Sequence, residues 1–194
     1  MMQMENEYGN VEFDYGLDGQ RYIMWAADLA NSLDTGVPWI MCLNDDVPTV
    51  ISTCNGFYCD NWIGGHHSKK GSEPHMFTEM WSGWFQFWND AKPTRPVQDV
   101  AFSIGRWVAR GGTYFSYYMF HGGTNFDRFG GDYQTTSYDY DAPLSEYGFP
   151  AQPKYDHLRK MHAVIMEYSD VLLENEARYY YLGWGKVGLD RPGD

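Results

Sequence analysis

Hydrophobic residues along this chain follow two patterns, and each pattern predicts one kind of element. Short continuous apolar runs are typical of strands buried on both faces, and VPWIMC at 37–42 is the clearest of them. The other predicted strands cover residues 1–7, 75–81 and 113–120, with a shorter one near 50–54. The chain therefore contains several strands that are suited to the interior of a sheet.

Apolar residues with a helical period mark three further segments, at residues 18–33, 96–110 and 153–172. In the first of them the predicted buried stripe consists of Tyr22, Ala26, Leu29 and Leu33. Residues 45–71, apart from the short strand, and residues 121–151 show neither period and are predicted to be irregular. Strands that alternate with helices indicate an α/β fold with a parallel sheet.

The composition narrows the class of partner. The chain has 194 residues, a formal net charge of -12 and 14 basic against 26 acidic residues, which argues against a nucleic-acid ligand. Aromatic residues make up 18%, which favours either a carbohydrate site or simply an aromatic-rich core. No apolar run is long enough to predict a membrane-spanning helix.

The three cysteines are Cys42, Cys54 and Cys59, an odd number that forbids complete internal pairing. Cys54 and Cys59 are close enough in sequence to pair, and Cys42 would then be left over or find a partner in sequence outside this chain. The cysteine and histidine spacings do not match a zinc site, so we expect neither a metal nor a cofactor.

Two glutamates follow apolar strands at the point where a glycine-containing loop begins: Glu7 in MENEYG and Glu79 in FTEMWSGW. Sites in parallel α/β folds form at the carboxyl ends of strands. Two carboxylates there can hydrolyse a glycosidic bond if one is protonated and the other ionised. The alternative is that both are strand-end caps or ion-pair partners. Glu5 competes with Glu7, since alternation along a strand puts both on one face.

Four segments in order, QMENEYG, MFTEMWSGWF, YYMFHGGTNF and TTSYDYDAPLSEYG, strongly resemble the signature segments of family 35 β-galactosidases, particularly the plant-like ones. VPWIMC and ISTCNGFYCD resemble segments that lie between the two glutamates in that family. The resemblance runs from residue 2 to about residue 170. It implies a retaining glycosidase that releases terminal, non-reducing β-D-galactose and is built on a (β/α)8 barrel.

The resemblance also implies roles for individual residues. Glu7 matches the acid/base at the end of the fourth barrel strand, and Glu79 matches the nucleophile at the end of the seventh. Asn6 matches the residue that hydrogen-bonds the sugar 2-hydroxyl, Tyr140 a residue near the sugar and nucleophile, and Trp84 an aromatic residue near the substrate. Core packing is an alternative role for Trp84.

Other conspicuous side chains are expected to have structural roles. Glu5 is predicted to be a buried, hydrogen-bonded support beneath Glu7, and His121 to hold a loop rather than bind a metal. The pair at 66–67, both histidines, is predicted to lie in a solvated loop. Asp139 and Asp141 are predicted to accept hydrogen bonds from backbone amides of the long loop.

A barrel of this kind needs about 250 residues. We therefore expect residues 1–172 to form the C-terminal part of the barrel, approximately strands 4 to 8, and residues 173–194 to be a divergent tail that begins a β-rich region. Three interpretations remain open: part of an active enzyme, a non-catalytic galactoside-binding remnant, or a product without a stable fold. The expected location is the cell wall or exterior, or a vacuole- or lysosome-like compartment.

Overall fold

Five parallel strands form the centre of the molecule. The structure, a computed structural model, describes residues 1–70, 73–127, 129–174, 178–181 and 187–190. The strands are β1 Met2–Gln3, β2 Trp39–Cys42, β3 Ile51–Gly56, β4 Met76–Trp81 and β5 Tyr114–Tyr118. Each strand pairs in parallel with the next one along the chain. A doubly wound sheet reverses its strand order at a switch point, whereas a barrel wall keeps sequential order, so this sheet fits part of an α/β barrel.

Helices connect most of the strands, whereas β2 and β3 are joined by residues 43–50 without a helix. The helices are α1 Gly16–Ser32, α2 Trp62–Lys70, α3 Val97–Ala109, α4 Lys154–Glu167 and α5 Ser169–Glu174. Two 3-10 turns, Tyr8–Asn10 and Glu12–Tyr15, precede α1, and an antiparallel pair, β6 Arg178–Tyr181 and β7 Val187–Asp190, follows α5. None of the helices in the described ranges has the length and apolar character needed to cross a membrane.

Most predicted elements are confirmed, but three are corrected, and the first is the strand at residues 1–7, which is limited to Met2–Gln3. The predicted irregular stretch 45–71 contains a helix, α2. The predicted final helix at 153–172 is divided into α4 and α5 at Tyr168. The irregular character of residues 121–151 is confirmed for the described residues of that stretch, in which only isolated bridges occur.

The larger core lies between β4, α3 and α4. Phe77 and Met80 on β4, Ile104 and Trp107 on α3 and Leu158 on α4 are all almost completely buried. The Trp107 indole also donates a hydrogen bond to the Tyr114 carbonyl on β5 at 3.0 Å, which satisfies its buried N–H. This core fixes β4, the strand that carries Glu79, against two helices.

The smaller core lies between α1 and β2, and it corrects the predicted face of α1. Ile23, Ala27 and Ala30 are buried there, whereas Tyr22 and Leu29 of the predicted stripe are 38% and 45% exposed. Two apolar stripes overlap on this helix, so the period alone does not choose between them. The stripe that contains the alanines is the buried one, and it packs in one cluster with Met4, Met41 and Val47.

Candidate active site

The two candidate glutamates lie at the same edge of the sheet. Glu79 is near the carboxyl end of β4, and Glu7 follows the carboxyl end of β1. Because every strand between them pairs in parallel, both ends point the same way. The predicted strand at 1–7 is wrong beyond Gln3: Glu5 and Glu7 both have a φ of 56°, in the left-handed region. Strained positions of this kind concentrate at functional sites.

Asn55, at the end of β3, connects the two glutamates. Its Nδ2 donates a hydrogen bond to Oε1 of Glu7 at 2.9 Å, and its backbone is the register partner of Glu79 across the β3–β4 pair. The register of that pair is irregular between Cys54 and Asn55. Asn55 is itself buried, with 8% of its surface exposed. A neutral amide therefore lies between the two acidic strand ends.

Cys42, the last residue of β2, holds the turn that carries Glu7. Its Sγ accepts a hydrogen bond from the Glu7 backbone N–H at 3.2 Å and donates one to Oδ1 of Asn6 at 3.2 Å. The residue is completely buried and is not in a disulfide, whereas Cys54 and Cys59 are bonded to each other, the pairing that their closeness in sequence allowed. Burial raises the pKa of the Cys42 thiol, so it remains protonated and can act as both donor and acceptor.

The pKa of the Glu79 carboxyl depends on burial and on two neighbouring side chains. Burial raises the pKa of the Glu79 carboxyl, the negative charge of Glu7 raises it further, and a hydrogen bond from the Trp81 indole at 3.0 Å opposes both. Like charges at close range disfavour simultaneous ionisation. Glu79 therefore combines burial with a nearby negative charge, and surroundings of this kind are found around carboxyls with acid/base or nucleophilic roles.

Tyr140 and Trp84 lie against the loop that follows β4. Their ring centroids are 5.9 Å apart, and the Trp84 ring is 4.8 Å from that of Trp81. Burial raises the pKa of the Tyr140 phenol, with smaller contributions from neighbouring tyrosines and from both glutamates. A Cβ at Gly83 would lie 1.9 Å from the Tyr140 carbonyl oxygen, so only glycine permits this close approach of the two loops.

A buried ion pair fastens these two loops together. The ammonium of Lys154 donates hydrogen bonds to the Ser82 carbonyl at 3.0 Å and to Oδ2 of Asp141 at 2.6 Å. The same carboxylate oxygen accepts the Arg95 backbone N–H at 2.7 Å, so Asp141 does bind a backbone amide, but one outside the long loop in which it was predicted. Asp139 forms an ion pair with Lys92 at 2.5 Å instead. The clamp of Lys154 and Asp141 fixes Tyr140 relative to the end of β4.

The profile of the glycosyl hydrolases of family 35 matches residues 1–165. The chain belongs to this family. It is 51% identical over 185 residues to beta-galactosidase 6 of Oryza sativa subsp. japonica, an alignment that covers 94% of the chain and 21% of the relative.

Two other relatives give the same result. Beta-galactosidase 8 of Arabidopsis thaliana is 51% identical over 185 residues, which are 94% of the chain and 21% of the relative. Probable beta-galactosidase 2 of Dictyostelium discoideum is 48% identical over 177 residues, which are 91% of the chain and 23% of the relative. This family 35 chain thus spans about a fifth of the length of the curated relatives it matches.

Outside the site, the structure confirms one structural prediction and corrects two others. His121 contacts the Glu146 carbonyl at 3.0 Å, which confirms its role in holding a loop of this family 35 chain. Glu5 accepts a hydrogen bond from the Tyr22 hydroxyl, as a support should, but it is half-buried and not deeply buried. His66 is completely buried and stacks on Trp62 at 4.1 Å, so its predicted solvated position is wrong. The side chain of the neighbouring residue 67 lies outside the described residues.

Sequence reasoning missed Asn55 and Cys42 as parts of the site. Both stand at the carboxyl ends of predicted strands, the same signal that selected the two glutamates. The sequence pattern does not distinguish them, because an amide and a thiol are not the usual side chains for acid/base chemistry. Across the described residues there is no group of three or more His, Cys, Asp or Glu side chains that could hold a metal ion.

Proposed function

We propose that the protein to which this chain belongs hydrolyses terminal, non-reducing β-D-galactose residues of β-galactosides, with retention of configuration. One observation carries the proposal: Glu7 follows the carboxyl end of β1 and Glu79 lies near the carboxyl end of β4, at one edge of the parallel sheet, where the charge of Glu7 adds to burial in raising the pKa of Glu79. The curated relatives are named beta-galactosidases, which supports the choice of galactose.

In the proposed reaction Glu79 is the nucleophile and Glu7 the acid/base. The Glu79 carboxylate attacks the anomeric carbon while Glu7 gives its proton to the departing glycosidic oxygen, so a galactosyl ester and a free alcohol result. In the second step Glu7 takes a proton from water, the resulting hydroxide displaces Glu79, and galactose leaves with its original configuration. Retention requires about 5–5.5 Å between the two carboxyl groups.

The electrostatic interaction between the two groups suits this exchange of roles. While Glu79 is ionised, its negative charge favours the protonated form of a neighbouring carboxyl, as an acid requires. Once Glu79 is esterified its charge is gone, which favours the ionised form that a base requires. The Trp81 indole, which donates to Oε2 of Glu79, favours the ionised nucleophile before the attack.

The remaining site residues are proposed to bind the sugar. The Asn6 side chain is held through its Oδ1 by Cys42 and by Gln3, at 3.2 and 3.3 Å, and its Nδ2 would donate to the 2-hydroxyl. Tyr140 would support the nucleophile and the sugar ring. Trp84 would offer an aromatic face to the substrate, because such faces stack on the apolar faces of sugars.

For the whole barrel we propose that β1 to β5 are the fourth to eighth strands. Counting from β1 as the fourth strand makes β4 the seventh, and that spacing separates acid/base from nucleophile in the family. Residues 173–194 would leave the barrel, and the antiparallel pair β6–β7 supports the start of a β-rich region. The Cys54–Cys59 disulfide supports an oxidising location, such as the cell exterior or a vacuole-like compartment.

Trapping the intermediate tests the nucleophile. In the full-length protein, a 2-deoxy-2-fluoro-galactoside with an activated leaving group should attach the fluorosugar to Glu79, as read by peptide mass spectrometry. Glu73 is the matched control, because it precedes β4 at the other end of the strand, where it accepts the Ser52 backbone N–H at 3.2 Å. A label on Glu73, or no covalent label at all, would contradict the proposal.

Chemical rescue tests the acid/base. Glu7→Ala should lose most activity on substrates with poor leaving groups, and azide should restore turnover of substrates with good leaving groups. Glu5→Ala, which removes a carboxylate in the same turn, should show no azide rescue. Rescue of Glu5→Ala and not of Glu7→Ala would mean that the wrong residue of the two was chosen.

A further inference from the structure

The side chain of Asn55 is held at both ends. Its Nδ2 donates to Oε1 of Glu7 at 2.9 Å, and its Oδ1 accepts a hydrogen bond from the Thr78 hydroxyl at 2.9 Å. The Thr78 hydroxyl is also 2.7 Å from that of Thr53, which is completely buried. Since Thr78 has a single hydroxyl proton and uses it toward Asn55, Thr53 is the donor in that contact. The hydrogen bonds therefore run in one direction, from Thr53 through Thr78 and Asn55 to Glu7.

The two oxygens of the Glu7 carboxyl are not equivalent. Oε1 takes the short hydrogen bond from the buried amide of Asn55 at 2.9 Å. Oε2 has a longer contact, 3.3 Å, with the amide of Asn10, a residue exposed to solvent. An oxygen that accepts a strong N–H donor is a poor place for a proton. The proton of the acid form therefore belongs on Oε2.

We propose that Asn55, oriented by Thr78, is a positioning residue for the acid/base: it occupies Oε1 of Glu7 and so keeps the transferable proton on Oε2. This inference rests on the proposed function, because only in the proposed reaction is the proton of Glu7 transferred to the leaving group. The alternative orientation of the amide would turn its carbonyl toward Glu7. A protonated Oε1 could then donate to that carbonyl, and the proton would be held away from the leaving group.

Thr78 is the residue that discourages this turn of the amide. In the observed orientation the Thr78 hydroxyl donates to Oδ1, and its oxygen accepts from Thr53. A turned amide would present Nδ2 to a hydroxyl whose proton points toward it, so the Thr78 proton would have to move to its other acceptor, the Cys54 carbonyl, at a longer distance of 3.4 Å. Without the Thr78 hydroxyl the amide loses that restraint, and the protonated form of Glu7 gains a stable but unproductive arrangement.

The test uses Thr78→Val in the full-length protein, with two galactosides that differ in leaving group. An alkyl galactoside needs the proton from Glu7, and a 2,4-dinitrophenyl galactoside does not, because its leaving group departs as a stable anion. We expect Thr78→Val to lower kcat/KM for the alkyl substrate about 10-fold, as loss of one charge-assisted hydrogen bond would. The dinitrophenyl substrate should be little affected, and the alkaline limb of the pH profile should move to higher pH.

Three further variants make the result specific. Thr78→Ser keeps the hydroxyl and should restore both the substrate ratio and the pH profile. Asn55→Asp places a second carboxylate beside Glu7 and should show a larger loss on the alkyl substrate, about 100-fold. Thr113→Val is the matched control, because that hydroxyl donates to the His75 carbonyl at 3.0 Å at the opposite end of the sheet, and it should leave the substrate ratio unchanged.

The outcomes separate this inference from the proposed function. If the unsubstituted protein hydrolyses neither galactoside, the proposed function fails first. If it hydrolyses both, and Thr78→Val and Asn55→Asp reduce the two rates by equal factors with no change in the pH profile, the positioning role is overturned. Should Thr78→Val not fold, Asn55→Asp against Asn55→Gln gives the same comparison of leaving groups.

Discussion

Replacing the two partners of the buried clamp, singly and together, tests how firmly the site is fixed. Lys154→Met keeps most of the apolar length of the lysine and removes its charge. Asp141→Asn removes the opposite charge, and asparagine is chosen because residue 141 has a φ of 51°, a conformation that asparagine tolerates better than alanine. Both changes act on the contact between the Ser82 carbonyl and the loop that carries Tyr140.

The two single changes should differ in magnitude because the partners are unequally buried. The Lys154 side chain is 8% exposed and that of Asp141 is 25% exposed. Asp141→Asn leaves a buried ammonium without its counter-charge and should weaken the local structure by about 3 kcal/mol. Lys154→Met leaves a more exposed carboxylate that still accepts the Arg95 N–H, and should weaken it by about 1.5 kcal/mol. The double variant should be less destabilised than the sum, because no charge is left alone.

Native-state hydrogen exchange of the full-length protein measures the loss of local stability around the clamp. Three amides report on the clamp: those of Ser82, Arg95 and Ala142, which are bonded to Tyr118, Asp141 and Asp139. Asp141→Asn should speed their exchange about 100-fold and Lys154→Met about 10-fold, with α1 unchanged as the internal control. Equal effects of the two variants, or a uniform rise across the whole chain, would refute the argument from unequal burial.

Other predictions concern the proton, the thiol and the sheet. Trp81→Phe removes the hydrogen bond that opposes the raised pKa of Glu79, so this pKa should rise further. The acidic limb of the kcat/KM profile should then move to higher pH. Trp25 is an exposed tryptophan on α1, and the control variant Trp25→Phe should leave that limb in place. Cys42→Ala removes the acceptor for the Glu7 N–H and should lower kcat about 10-fold, whereas Cys42→Ser should retain more activity; equal losses would contradict a hydrogen-bonding role. The 194-residue chain alone should not turn over a chromogenic β-galactoside and should aggregate or self-associate in light scattering, because β1 and β5 have unpaired edges in the described sheet; an active soluble monomer would contradict this.

The strands were predictable where burial on both faces makes them continuously apolar. Residues 39–42 and 76–81 are such cases, and Glu79 could be found because it interrupts an apolar run near its end. The helix α2 was not predictable, because Gly64 and Gly65 disfavour a helix locally. It forms because Ile63 is buried in the core and Trp62 packs against that core, which are tertiary contacts that no local pattern reports.

The geometry around Glu7 could not be predicted from the sequence either. Alternation assumes an extended backbone, and the left-handed conformation of Glu5 and Glu7 removes that assumption. The turn is instead determined by partners far away in sequence, the thiol of Cys42 and the amide of Asn55. Resemblance to family segments could select Glu7 from its neighbours, but it could not tell which side chains hold it.

Because the strands pair in the order of the sequence, the parts of the site are synthesised in a fixed order. When a strand leaves the ribosome, the preceding strand with which it pairs has already been synthesised, so the strands can pair during translation. Glu7 and Glu79 are about 70 residues apart, which corresponds to roughly 4 to 14 seconds at about 5–20 residues per second. During that interval the side chains that hold Glu7 emerge in turn, first Cys42 and then Asn55, before β4 brings the second carboxylate beside the first. The side chains that hold Glu7 are therefore synthesised before Glu79 is.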